Sequence, residues 1–181
     1  MPILFDTSPL LSPPFQSREF TPTLWQTAES KAQFANALCR FIAAGFKESL
    51  FTETLYRRLA LSFGHIGWCD RGGFFDHYFR SLHGQLAFLE ESLRWNPCGE
   101  PAWTWCDVER AVQDRLRSAN LLAAERALFD AEKERFERQL LRRLQEKYEA
   151  RNMISRTSVQ HPGAATLQAE KPPPAAQAHL F

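Results

Sequence analysis

Apolar positions along most of this chain recur at intervals of three and four, the spacing that gathers side chains on one face of an α-helix. Phe34, Leu38, Phe41 and Ile42 predict a first helix over about Thr27–Ala44. Thr27, or the pair Ser30 and Gln33, serves as its cap, and Gly45 stands where a left-handed residue ends a helix. Leu55, Leu59 and Phe63 predict a second helix over about Thr52–Phe63, with Thr52 as cap and Glu53 at the positive end of the dipole. Phe75, Phe79, Leu82, Leu86, Leu89 and Leu93 predict a third over about Phe74–Trp95. Thr104, with Asp107 as capping partner, opens a fourth. No proline or glycine follows until Pro162. Trp105–Arg151 is therefore expected to run as one helix, about 70 Å long at 1.5 Å per residue.

That last helix changes character along its length. Val108, Val112, Leu116, Ala119 and Ala123 give its first half an apolar face. Its second half is heavily charged, with pairs such as Glu134–Arg138 and Arg142–Glu146 at the spacing that links a solvated face. A thinner seam persists through Phe129, Phe136, Leu140, Leu144 and Tyr148. Lys133 and Arg143 interrupt a strict coiled-coil heptad.

The fold class that follows is all-α: a bundle of three amphipathic helices plus a long C-terminal helix. Residues 1–26 form an extended, proline-punctuated arm, 27–125 the helical core domain, 126–151 the charged extension of the last helix, and 152–181 a disordered tail ending in an Ala- and Pro-rich stretch. Phe5, Leu10, Leu11, Phe15, Phe20 and Trp25 make the arm too apolar for a free tail, so it is expected to lie across the helices or on a partner. Strand-like alternation is nearly absent, although Met1–Phe5 could add one edge strand.

Composition bounds the chemistry. Of 181 residues, 44% are hydrophobic, enough to bury a core, and the formal net charge of +1 gives no support to a dedicated nucleic-acid domain. The four cysteines, Cys39, Cys69, Cys98 and Cys106, form no CxxC pair. The first twenty residues do not read as a signal peptide, and no run reaches the length of a membrane span, so a cytoplasmic protein with reduced thiols and no membrane partner is expected.

Candidate chemistry concentrates in the glycine-rich segment from Gly64 to Gly73 and just beyond it. Its four glycines argue for a loop. His65, Cys69, Asp70 and His77 are the weak catalytic candidates. His65, Cys69 and His77, with Cys98 or Cys106, could ligate zinc, but the spacing matches no signature, so neither metal nor cofactor is expected. The amides of Gly72 and Gly73 beside Arg71 could hold a phosphate, against which Asp70 and Asp76 would act. Arg57, Arg58, Arg71 and Arg80 are candidate nucleic-acid contacts, with Trp68 and Phe74 interleaved for stacking. Trp95, Trp103 and Trp105 bracket a proline-containing loop and are expected to pack it against the helix ends.

No enzyme motif is complete. The expected function is a non-catalytic interaction protein, an accessory, regulatory or inhibitor protein acting through the long helix on a protein partner or a second copy. The alternatives are a nucleic-acid-associated regulatory protein using the four arginines, and a small metal protein or enzyme with its site in the Gly64–Gly73 loop.

Overall fold

The computed structural model describes residues 7–65 and 70–157, with side chains to Arg151. The protein is all-α. Its helices are α1 (Ser8–Leu11), α2 (Ala28–Ala43), α3 (Glu53–Leu59), α4 (Arg71–Tyr78), α5 (Leu82–Arg94), α6 (Cys106–Ser118) and α7 (Leu121–Thr157), with 3-10 turns at Ser17–Glu19 and Glu48–Leu50 and no strand among the described residues. The chain divides into two compact units, Met1–Arg135 and Phe136–Phe181. The strand considered for Met1–Phe5 and the tail beyond Thr157 lie outside the described residues.

The starts of α2, α3 and α4 are set by hydroxyl or carboxylate caps. Thr27 Oγ1 accepts from the Ser30 amide, Thr52 Oγ1 from the Leu55 amide, and Asp70 Oδ1 from the Gly73 amide. Thr27, not the Ser30–Gln33 pair, is thus the cap of α2. That helix ends as expected in left-handed backbone, which Gly45 (φ +68°) shares with Phe46 (φ +56°).

Two expected helices are each broken in two. The stretch expected as one helix over Phe74–Trp95 turns at Phe79–Ser81, where Ser81 caps α5 by accepting from the Gly84 amide. A Cβ on Gly84 would stand 2.7 Å from the carbonyl oxygens of His77 and Tyr78, so only glycine lets α5 start this close to the end of α4. The expected continuous helix over Trp105–Arg151 breaks at Asn120, whose φ of +50° ends α6 before α7 begins. Asparagine takes the left-handed position in place of glycine there. The turn allows Leu116 and Leu121 both to be buried. α7 then continues to Thr157, past the expected end near Arg151.

The core of the Met1–Arg135 unit is built on phenylalanine. Phe79 sits among Phe41 (4.9 Å between ring centroids, edge-on), Phe46 (5.1 Å, stacked) and Phe88 (5.0 Å, edge-on). Phe51 and Phe74 extend the cluster, and the predicted stripes of α2, α3 and α6 are buried around it. The N-terminal arm is partly helical and belongs to this core. Leu10, Phe15 and Phe20 are buried, while Leu11 and Trp25 are exposed. Asn36 clasps the Phe15 backbone with both its amide nitrogen and oxygen, and the Arg115 guanidinium lies 3.6 Å from the Phe15 ring centroid.

Lys31 ties α2 to the loop before α6. Its side chain is wholly buried, and its ammonium donates to the carbonyls of Pro101 and Thr104 and to both oxygens of Asp107 at 2.9–3.1 Å.

Candidate functional site

A cleft of about 520 Å³ opens where the end of α5 meets the turn after α3. The turn is left-handed at two successive residues, Phe63 (φ +55°) and Gly64 (φ +72°). Gly64 is required, because a Cβ there would meet the Trp95 ring at 2.5 Å. One buried carboxylate fixes both walls: Glu109 of α6 accepts from the Phe63 amide (2.7 Å) and from the Trp95 indole nitrogen (2.9 Å). Gln113, one turn on, donates to the carbonyls of Ser92 and Trp95, both at 2.7 Å. The cleft wall is therefore held by charge-assisted and amide hydrogen bonds from behind.

His65 forms the floor. Its ring stacks on Phe88 at 5.0 Å and meets Tyr78 at 5.2 Å, its Nε2 lies 3.3 Å from Ser92 Oγ, and its Nδ1 lies 3.6 Å from Glu91 Oε2. Burial lowers the imidazole pKa from its usual 6.5 to about 4, against the smaller opposing pull of Glu91. His65 is thus neutral at physiological pH. The Tyr78 hydroxyl donates to Glu91 Oε2 at 2.9 Å. Arg94 and Asn96 complete the rim.

Of the other sequence-predicted catalytic candidates, Asp70 and His77 do not line it. Asp70 is the cap of α4, and Cys69 lies outside the described residues. His77 is exposed on the last turn of α4, its ring edge-on to Tyr78. Cys106 is buried with its thiol donating to the Gly99 carbonyl, and Cys98 is exposed. Among the described residues no three histidine, cysteine, aspartate or glutamate side chains are placed to hold a metal. Burial raises the Cys39 thiol to about 11, which keeps it un-ionised.

The glycine pair is a helix start and not a loop. Gly72 and Gly73 lie in the first turn of α4, and the Gly73 amide that would face a phosphate is already held by Asp70 at 2.7 Å. The four arginines also have partners within the fold. Arg57 binds Glu53 at 2.8 Å, and Arg71 donates to the Phe51 carbonyl at 2.7 Å with Glu53 3.9 Å away. Arg58 stacks on Trp105 with 5.0 Å to the ring centroid, and Arg80 pairs with Asp76 at 2.6 Å. Only Arg57 and Arg71 meet, at Glu53. Phe74, considered for base stacking, is buried in the core.

The seam of the last helix divides. Phe129 is half-buried with its ring 5.8 Å from that of His83, inside the first unit. In the second unit Phe136, Leu140, Leu144 and Tyr148 are 41–66% exposed, joined by Leu141, which the seam reading omitted. At 100° per residue these five side chains cover an arc of about 140°.

The cleft residues Glu91, Glu109 and Gln113 escaped the sequence reading. Glu109 and Gln113 carried a signal: they fall beside Val108, Val112 and Leu116 on the apolar face of α6, where a polar residue must find a buried partner. Fold and surface together define an all-α protein with a phenylalanine core, a cleft of mixed polar and apolar lining held by Glu109 and Gln113, and an apolar helical face. No protein-family model, curated protein or solved structure matches the chain.

Proposed function

We propose that this is a non-catalytic interaction protein, an accessory or regulatory chain that presents the 136–148 segment of α7 to an apolar groove on a different protein. The observation that carries the reading is the exposure of Phe136, Leu140, Leu141, Leu144 and Tyr148 on one face. Covering a half-exposed side chain of this size contributes about 1 kcal/mol. Five together supply about 5 kcal/mol, more than half of the ~8 kcal/mol of a micromolar contact. An arc of about 140° matches the broad stripe by which a helix packs on a globular surface, and exceeds the narrow seam of a two-stranded coiled coil. Lys147, which falls within the arc, and Arg143 at its edge also disfavour pairing with a second copy. A reducing, cytoplasmic setting suits the free thiols of Cys39, Cys98 and Cys106. No described helix is long and apolar enough to cross a membrane.

Light scattering of the purified chain, beside the double variant Leu140→Glu/Leu144→Glu, tests the choice of partner. A monomer in both cases is the expected result. A wild-type dimer that the glutamates disperse would assign the face to a second copy and overturn the heterologous reading. Retention on DNA that weakens steeply with salt would instead favour a nucleic-acid partner.

A further inference from the structure

The cleft beside His65 lies in the other unit, and its contents point to a ligand independently of α7. Glu91 and Arg94 stand three residues apart on α5, a spacing at which a glutamate and an arginine ordinarily pair. Here they do not. Glu91 Oε2 is turned to the Tyr78 hydroxyl and the His65 ring, while Arg94 makes no ion pair or hydrogen bond among the described residues. The neighbouring Asn96 carboxamide is likewise without a partner among them. His65 adds no charge. The cleft therefore carries one anion and one cation, held apart, beside an indole face that Glu109 and Gln113 lock in place.

A simple anion drawn by Arg94 would be repelled by Glu91, and a simple cation the reverse. A small zwitterion satisfies both. Side chains three residues apart on a helix start about 5–6 Å from one another, which leaves room for a group whose opposite charges are separated by about one carbon. The volume of about 520 Å³ falls within the range of small-molecule sites. We propose that the cleft binds a free α-amino acid with an apolar or aromatic side chain. Its carboxylate is taken by the Arg94 guanidinium and the Asn96 amide, its ammonium by Glu91, and its side chain by the part-exposed ring of Trp95. The arrangement is a binding site and involves no bond-breaking step.

The test is calorimetric titration of the full chain with L-phenylalanine and L-leucine, beside N-acetyl-L-phenylalanine and L-phenylalaninamide. Saturable binding of at least one free amino acid is expected, weakened about tenfold or more, some 1.4 kcal/mol, when either charged end is blocked. Arg94→Gln and Glu91→Gln should each cause a loss of similar size. Both side chains reach solvent, and the carboxamide oxygen introduced by Glu91→Gln would still accept from the Tyr78 hydroxyl, so circular dichroism should report an unchanged fold. No saturable heat from either amino acid, or binding that tolerates the blocked ends or both substitutions, would overturn the proposal.

Discussion

Lys31 shows how a single buried charge organises this protein. An ammonium removed from water is tolerated only when its donors are satisfied, and Lys31 meets four oxygens on the segment Pro101–Asp107. Asp107 in turn accepts from the amides of Thr21 and Val108, so the arm, α2 and α6 share one polar junction. Lys31→Met would leave two carbonyls without their donor and the carboxylate without its cation. The expected cost is about 3 kcal/mol or more in denaturant unfolding. His65 makes a second prediction, on pH. Its folded pKa of about 4 lies below the usual 6.5, so the unfolded chain takes up the proton first as the solution is acidified. Stability is therefore complete above pH 6.5 and declines as pH falls towards about 4. At about 1.4 kcal/mol per pH unit the decline attributable to His65 is roughly 3 kcal/mol. Glu125, whose carboxyl pKa is raised by burial, works in the opposite sense, stabilising at low pH and losing that contribution as pH rises. The quantity to measure is thus the difference in acid stability between wild type and His65→Phe. Wild-type stability minus that of His65→Phe should fall as pH drops towards 4, and an offset that stays constant with pH would contradict the assignment to His65.

At the scale of elements, the apolar periodicity made the helical faces legible, because burial of Phe34, Leu38, Leu55, Leu59, Val108 and Val112 is what three-and-four spacing encodes. Lys31 was readable too in principle, since it falls on the same face as Phe34, Ala35 and Leu38. The breaks were not. Gly84 looks like an ordinary glycine within a helical stripe, and its role depends on the carbonyls of His77 and Tyr78 approaching from the preceding helix. Asn120 is one polar residue in a run free of proline and glycine, and its left-handed backbone follows from the burial of Leu116 and Leu121 on either side. Both are tertiary demands that local propensity does not register. Gly84→Ala separates the two effects. Helix propensity alone would stabilise by about 1 kcal/mol, whereas a Cβ 2.7 Å from two backbone oxygens must displace α5 from α4. Overpacking of this kind costs about 1–3 kcal/mol, so net destabilisation in urea unfolding is expected. A stabilised variant would mean that the α4–α5 approach is looser than described.

On the scale of the whole molecule, the cleft and the exposed apolar face of α7 fall in different units. The candidate residues that adjacency in sequence grouped together were dispersed by the fold: Asp70 went to a cap, His77 to the surface of α4, and His65 to the floor of a cleft completed by α5. That cleft was illegible because its parts come from segments nearly fifty residues apart, as the Phe63–Glu109 hydrogen bond illustrates. The apolar face of α7 was legible because it is a property of one helix.

The measurement that bears most directly on the docking reading is photocross-linking in the cells that make this protein. A photoreactive side chain would replace Leu140, at the apolar face, or Arg142, about 200° around the helix from it. Adducts with one other protein from position 140, absent from position 142, are the predicted result. Equal labelling from the two positions, or none from either, would contradict it.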